Sequence, residues 1–382
     1  MMRLGILTLN GYTNYGNVLQ NLALQSYLAG QGHDVETIWY SPLPPTRSKL
    51  EILKSHMTIH SILQAINNKV NVRRNRLKNN MTSARVIHFK KFCQTNINYS
   101  PIRLNDNNIQ DPALLKRIDD TFDAFFSGSD QVWGLYGNRV LTAYFLPFVP
   151  SSKRNSFAAS FGFSQIPNSN LESTYRNGLR EMNCISVREL EGADIVKSVA
   201  GISPTTLLDP TLLLSSERWH QIASRPDMNL PSRYLLTYFL GESNEQQLKF
   251  VQKVADSSGA KIIRLNDLSD ENAYGIAPDN FVYLFEHATY VITDSFHGAV
   301  FSIIFKRDFF VTSRHGGVDM SSRLTTLLKR MALDDRLVSS IDGFDVSLIH
   351  AHIDYSTSSK VIADNKLQAN KFISEALHGI EI

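Results

Sequence analysis

The stretch YVITDSFHGAVFSIIF, residues 290–305, decides how this chain folds. Tyr290–Thr293 is a run of aromatic and β-branched residues, which suits a buried strand. A short polar turn follows, and His297–Phe305 reads as a covered helix with His297 in its first turn. An apolar strand that feeds through a polar turn into an apolar helix is the unit of a parallel sheet covered on both faces.

Working outward, the unit recurs. Downstream, Asp308–Thr312 reads as a strand, Ser321–Met331 as a helix, and Ser356–His378 as a last long helix stopped at Gly379. Immediately upstream, Tyr234–Leu240 and Lys261–Leu265 read as strands, and 243–257 and 279–288 as helices. Gly201–Glu217, with two prolines and a polar end, reads as a seam. Before it, Arg3–Leu9, Val35–Tyr40, Phe122–Phe126, Ser156–Ser160 and Cys184–Val187 read as strands. Leu19, Leu22, Ala23 and Tyr27 recur at a helical period, and residues 48–92 read as mostly helical. The expected class is α/β, with two doubly wound, Rossmann-like domains and a cleft between them. That layout resembles the GT-B architecture. The expected division is an N-terminal domain over 1–205 with a basic helical insert at 48–92, a C-terminal donor-binding domain over 206–350, and a helix over 351–382 that packs back on the first domain.

The 382 residues are 43% apolar and 20% charged, which excludes a disordered or low-complexity chain. A net charge of +3 is too small to argue for nucleic acid as a partner. Cys93 and Cys184 make neither a disulfide framework nor a metal-type pair, so a reducing cytoplasm is the expected compartment and no metal is expected. The apolar run in MMRLGILTLNGY is too short for a signal peptide, and no stretch approaches the roughly 18 apolar residues of a membrane helix. The charge is uneven. No acidic residue lies between Glu51 and Asp106, a span with ten lysines and arginines, so the remainder of the chain is net acidic. This block reads either as a solvated helical face or, over residues 69–91, as a docking patch for anionic lipid headgroups.

Ligands of open parallel sheets bind beyond the carboxyl ends of the strands. Four loops there carry chemistry. In the first, NGYTNYGN, Asn14, Gly16 and Asn17 can approach a phosphate or sugar hydroxyl, with Asn17 as the expected helix cap, or they can simply make a tight turn. In the second, Ser129, Asp130 and Gln131 follow the FDAFF strand and suit a polyhydroxyl ligand; capping is the plainer reading. In the third, Arg188 directly follows a buried strand, placed for a carboxylate or phosphate or else for an ion pair with Glu189. The fourth, TDSFHG, puts His297 at a helix N-terminus. That dipole disfavours an imidazolium and a bound dianion favours it, which suits a proton donor. Arg314 and Arg323 add cations after the next strand. There is no G-x-S-x-G elbow and no H-E-x-x-H. The pattern points to an anionic small molecule and proton transfer.

The segments TNYGNVLQNLALQSYL, FFSGSDQVWG, FAASFG, ISVRELEG, LLDPTLLL, ITDSFHGAVFSIIF and SSRLTTLL, in this order, resemble the polysaccharide pyruvyl transferase family. The resemblance implies a GT-B-like fold and phosphoenolpyruvate as co-substrate, with no other cofactor. The acceptor would be a hexose, of galactose type, in a capsular or exopolysaccharide precursor, often built on a lipid carrier at the inner membrane face. It makes His297 the general acid beside the donor phosphate and Arg188 the catalytic arginine that clamps the donor. Ser295, Gly298, Arg314 and Arg323 would complete the donor site, and Asn14, Gly16, Asn17, Ser129, Asp130 and Gln131 would face the acceptor. Some members carry arginine where this chain has Ser295, so Arg314 or Arg323 must supply that contact. Two other readings stand beside it: a GT-B glycosyltransferase using a nucleotide-sugar, and a non-catalytic polysaccharide-assembly protein.

Overall fold

The computed structural model describes residues 1–43, 81–314, 321–338 and 344–379. Residues 69–80 of the basic stretch lie outside the described residues, as does most of the 48–92 insert. Its described part, 81–92, is helical and belongs to a helix that runs on to residue 96.

Two parallel sheets form the frame. The first holds β1 (Arg3–Leu7), β2 (Asp34–Ser41), β3 (Tyr99–Asn105), β4 (Ala124–Asp130), β7 (Arg154–Ala159), β8 (Ser186–Val187) and β9 (Thr205–Thr206), in the order β3-β2-β1-β4-β7-β8-β9. A hairpin of β5 (Leu135–Tyr136) and β6 (Arg139–Val140) sits apart. The second sheet holds β10 (Tyr234–Tyr238), β11 (Lys261–Leu265), β12 (Tyr290–Thr293), β13 (Asp308–Thr312) and β14 (Leu337–Val338), in the order β11-β10-β12-β13-β14. Both sheets are doubly wound, GT-B-like in layout. Their strand order reverses at β1/β4 and at β10/β12, and crevices for ligands open at such reversals.

The elements follow local chemistry. Asn14 caps helix 15–29 by accepting from the Asn17 amide. The helix therefore starts at Tyr15, two residues before Asn17, and Asn17 is not its cap. Asp111 with Pro112 opens helix 112–121. An Asn244–Gln247 capping box opens helix 245–258, and Gly259 in the left-handed region closes it.

Two differences from the sequence reading have physical causes. Ser127–Asp130, read as a loop, extends β4, pairing Ser127 with Ser156 and Asp130 with Ala159. Gly128 permits this, because a Cβ there would lie 2.4 Å from the Phe157 carbonyl oxygen. β3, at the sheet edge, contains Pro101, whose missing N–H is tolerated there.

The core runs across both halves. Tyr15, Leu19 and Phe89 from the first half pack in one cluster with Phe281, Val300 and Phe301 from the second. Helix 356–376 returns to the first half, where Phe372 and Ile373 join Leu4, Ile6 and Leu207. No helix among the described residues is long and apolar enough to cross a membrane.

Candidate active site at the facing switch points

Four strand ends deliver the polar residues. β4 ends on Asp130, β8 runs into Arg188 and Glu189, β9 leads through Leu207 and Leu208 to Asp209, and β12 leads to Asp294 and His297. Asp209 is their hub. It is fully buried, and its Oδ2 faces Arg188 Nη1 at 2.7 Å, Ser129 Oγ at 3.3 Å and His297 Nε2 at 3.5 Å. Its Oδ1 accepts from the Thr211 amide at 3.1 Å and the Thr211 hydroxyl at 2.7 Å. Burial alone would raise this carboxyl, but His297 and Arg188 hold it well below the ordinary carboxylate range.

Every nitrogen of Arg188 engages a carboxylate. Nε donates to Glu189 at 2.9 Å, Nη1 to Asp209, and Nη2 faces Asp130 at 3.5 Å. Its Cζ lies 4.2 Å from the centroid of the Phe296 ring. Burial works against this charge, but Glu189, Asp209 and Asp130 together raise the guanidinium above its ordinary value.

His297 stands at the start of helix 296–304, capped by Ser295, whose Oγ accepts from the Gly298 amide at 3.4 Å. The ring crosses to the first half and lies on the backbone of Gly16, where an added Cβ would fall 2.2 Å from Nδ1. Gly298 is equally confined, since its Cβ would lie 2.3 Å from Thr293 Oγ1. His297 is 7% exposed, and its Nε2 is buried with Asp209 as the facing polar atom, long for a hydrogen bond and short enough for an ion pair.

The other expected residues divide around this centre. Ser129 donates to the Ala158 carbonyl at 2.9 Å and, with Asp130, belongs to the Arg188–Asp209 network. Gln131 lies over Gly162, which has φ +74 and no room for a side chain. Arg314 faces the buried Asp294 at 3.6 Å. Asp294 itself accepts from the amides of Leu240 and Gly241 at 2.7 and 2.9 Å, and so ties the loop after β10 to the loop after β12. Arg323 lines a crevice with Arg188, Asp209, Phe296, Thr326 and Arg330, and burial together with Arg188 lowers its guanidinium to about 10. Among the described residues, no group of three or more His, Cys, Asp or Glu could hold a metal ion. Larger cavities lie away from this centre: about 640 Å³ beside helix 81–96, and about 720 Å³ around Arg307 and His352.

Sequence reasoning did not single out Asp209, Phe296 or Arg85 as site residues, and it named Glu189 only as the ion-pair partner of Arg188, a pair the structure forms at 2.9 Å. For Asp209 a signal existed, a lone acid among leucines in LLDPTLLL, because a buried carboxylate needs partners. Arg85, from the basic stretch, is 3% exposed and joins the halves. It donates to the Thr13 carbonyl at 2.7 Å and to Asn266 Oδ1 at 2.8 Å, and lies over the rings of Tyr15 and Tyr274.

No curated protein matches the chain. The solved structures similar to it include a mutant O-GlcNAc transferase of Thermobaculum terrenum (11% identity, TM-score 0.39), covering 99% of this chain and 64% of that one. The chain thus spans under two thirds of that protein's length. Others are the S. aureus MnaA–UDP co-structure (10% identity, TM-score 0.46, 98% of this chain and 91% of that one) and the UDP-GlcNAc 2-epimerase of Neisseria meningitidis bound to UDP-GlcNAc (10% identity, TM-score 0.43, 100% and 95%). The family model for polysaccharide pyruvyl transferase matches residues 14–316, which include Gly16, Asp130, Arg188, Asp209 and His297, and the chain belongs to that family.

Proposed function

We propose that this transferase moves a pyruvyl group from phosphoenolpyruvate to two hydroxyls of a galactose-type hexose in a capsular or exopolysaccharide precursor, forming a ketal and releasing phosphate. The observation that supports the reading is the Asp209–His297 pair, 3.5 Å apart, beside the buried guanidinium of Arg188 and across from Gly16.

The reaction defines what each group does. The enol methylene takes a proton, which makes C2 electrophilic. One sugar hydroxyl adds to C2, phosphate leaves with its bridging oxygen, and the second hydroxyl closes the ketal. Each hydroxyl loses one proton; one balances the proton given to the methylene and the other leaves on the phosphate. In this reading His297 delivers the proton to the methylene, and Asp209 faces the ring and can share that proton. Arg314 and Arg323 supply positive charge for the donor's carboxylate and phosphate. Arg188, with all its nitrogens committed, acts by holding Asp209 in place. The helix start of Asn14, Gly16 and Asn17 is assigned to the acceptor side. Phosphoenolpyruvate is the co-substrate, and no cofactor is called for.

The reading places the protein in the cytoplasm, at the inner membrane face where lipid-linked acceptors are built, with residues 69–91 contacting anionic headgroups. Lys90 and Lys91 are exposed and suited to this, whereas Arg85 is buried.

The test is incubation with phosphoenolpyruvate and a panel of α- and β-galactosides, following phosphate release and product mass. Acceptor-dependent release that disappears in His297→Ala supports the reading. An unchanged rate in a folded His297→Ala removes it, and glycosyl transfer with nucleotide release when a nucleotide-sugar replaces phosphoenolpyruvate moves the chain to another transferase class.

A further inference from the structure

We propose that Asn365, on the C-terminal helix and outside the span matched by the family model, is a positioning residue that sets the Asp209 carboxylate against His297. The chain between β9 and Asp209 leaves the first sheet at its edge. The last rung of that ladder is the Leu207 amide, which donates to the Val187 carbonyl at 2.9 Å. The next amide, on Leu208, has no strand beside it. Asn365 takes it instead, with Oδ1 accepting from Leu208 N at 2.8 Å. Leu208 and Asn365 are 3% and 2% exposed, so water does not substitute for this bond. One residue later Asp209 begins the turn 210–212, where Pro210 has no amide to offer and Thr211 donates back to Asp209. The direction in which Asp209 leaves the sheet is therefore set by Leu208, and Leu208 is held by Asn365.

The helix that carries Asn365 is anchored at both ends. Near its start, Ser358 Oγ donates to the Met331 carbonyl in the second half at 2.8 Å. Near its end, Phe372 and Ile373 pack with Leu207 and Leu213, and Asn183 donates to the Ala376 carbonyl at 3.2 Å. Tyr27 adds a hydrogen bond to Asn370 at 2.7 Å. A helix tied to both halves reads their relative position, and Asn365 delivers that position to the segment bearing Asp209.

The inference rests on the reading of Asp209 and His297 as the reacting pair, so the test has one arm that needs turnover and one that does not. In the first arm, Asn365→Leu lowers kcat about 10-fold or more with KM for phosphoenolpyruvate nearly unchanged. Asn365→Asp keeps an acceptor oxygen and restores most of the rate. Because Asn365 acts through Asp209, the double variant Asp209→Asn/Asn365→Leu is no slower than Asp209→Asn alone. Additive losses, or an unchanged kcat in Asn365→Leu, overturn the proposal. The second arm uses Trp219, whose indole N–H donates to the Thr211 carbonyl at 3.0 Å and so reports the Asp209 turn. In ¹⁵N-tryptophan-labelled protein its resonance moves in Asn365→Leu and returns in Asn365→Asp; an unmoved resonance overturns the proposal even if the wild type shows no pyruvyl transfer. Absent transfer with a moved resonance removes the functional reading and leaves Asn365 as the support of Asp209.

Discussion

Gly16 and His297 meet face to face across the two halves of the molecule, so closely that a methyl group on Gly16 would sit 2.2 Å from the imidazole Nδ1. Gly16 lies in the first turn of helix 15–29 and has ordinary helical geometry, so backbone freedom is not the reason for glycine there. The reason is the approach of the ring.

Gly16→Ala therefore sets two effects against each other. Alanine improves helix propensity by about 0.5–1 kcal/mol. The methyl displaces His297, and a shift on the order of 1 Å at a reacting group costs about 100-fold in rate. We expect turnover to fall by about that factor while the melting temperature changes by only a few degrees. Steady-state rates and a thermal melt on the same preparation check it, and wild-type turnover in Gly16→Ala contradicts it.

Asp209→Asn removes the carboxylate that faces the imidazole. By comparison with other carboxylate–imidazole pairs, kcat drops on the order of 10³–10⁴-fold. The same variant changes acid stability. The folded-state carboxyl lies below its unfolded value, so its contribution is complete above about pH 4 and is lost as the pH falls further. Melting temperatures between about pH 2.5 and 5 should fall more steeply for wild type than for Asp209→Asn. Parallel curves count against the ion-pair network.

Arg188→Met leaves Asp130, Glu189 and Asp209 buried around a missing charge. Breaking a buried pair from one side costs about 3–5 kcal/mol. Arg188→Lys keeps the charge but cannot reach three carboxylates in a plane, so it falls between the two. Denaturant titration gives the order wild type, lysine, methionine; equal midpoints contradict it.

Arg85→Met loses bonds to Thr13 and Asn266 and the ring contacts with Tyr15 and Tyr274. Hydrogen bonds from a charged donor contribute about 1.5–3 kcal/mol. The expected outcome is lower stability and faster proteolysis, with unchanged binding to anionic vesicles because Arg85 is buried. If residues 69–91 dock on anionic headgroups as proposed, charge reversal of Arg73, Arg74 and Arg76 lowers vesicle binding, and unchanged binding removes that docking. Vesicle sedimentation with and without anionic lipid separates the two.

The division between sequence and tertiary structure can be drawn at particular residues. Strand–turn–helix periodicity is local, so YVIT, KIIRL and DFFVT, and the turn that presents His297, were legible in order. Arg188 was legible as a cation at a strand end because it directly follows the short run Cys184–Val187, which reads as a buried strand. Glu189 was legible as its partner, being the next residue, but Asp130 and Asp209 were not, since they are 58 and 21 residues away and no local pattern links them. The edge strand β3 was hidden by Pro101, and the extension of β4 by a Ser-Gly-Ser run that is strand because it pairs with β7, at an approach to Phe157 that leaves no room for a Cβ on Gly128.

The order of apolar and polar residues thus determined the class of fold and which loops stand at the carboxyl ends of the strands. Only the packing of one half against the other decided that His297 lies on Gly16, that Asp209 and not a loop asparagine faces its ring, and that Arg85 is a bolt between the halves instead of a surface charge. The physical reason is range. Periodicity and capping are settled within a few residues, whereas a buried charge finds its counter-charge in three dimensions, wherever the topology brings the strand ends together.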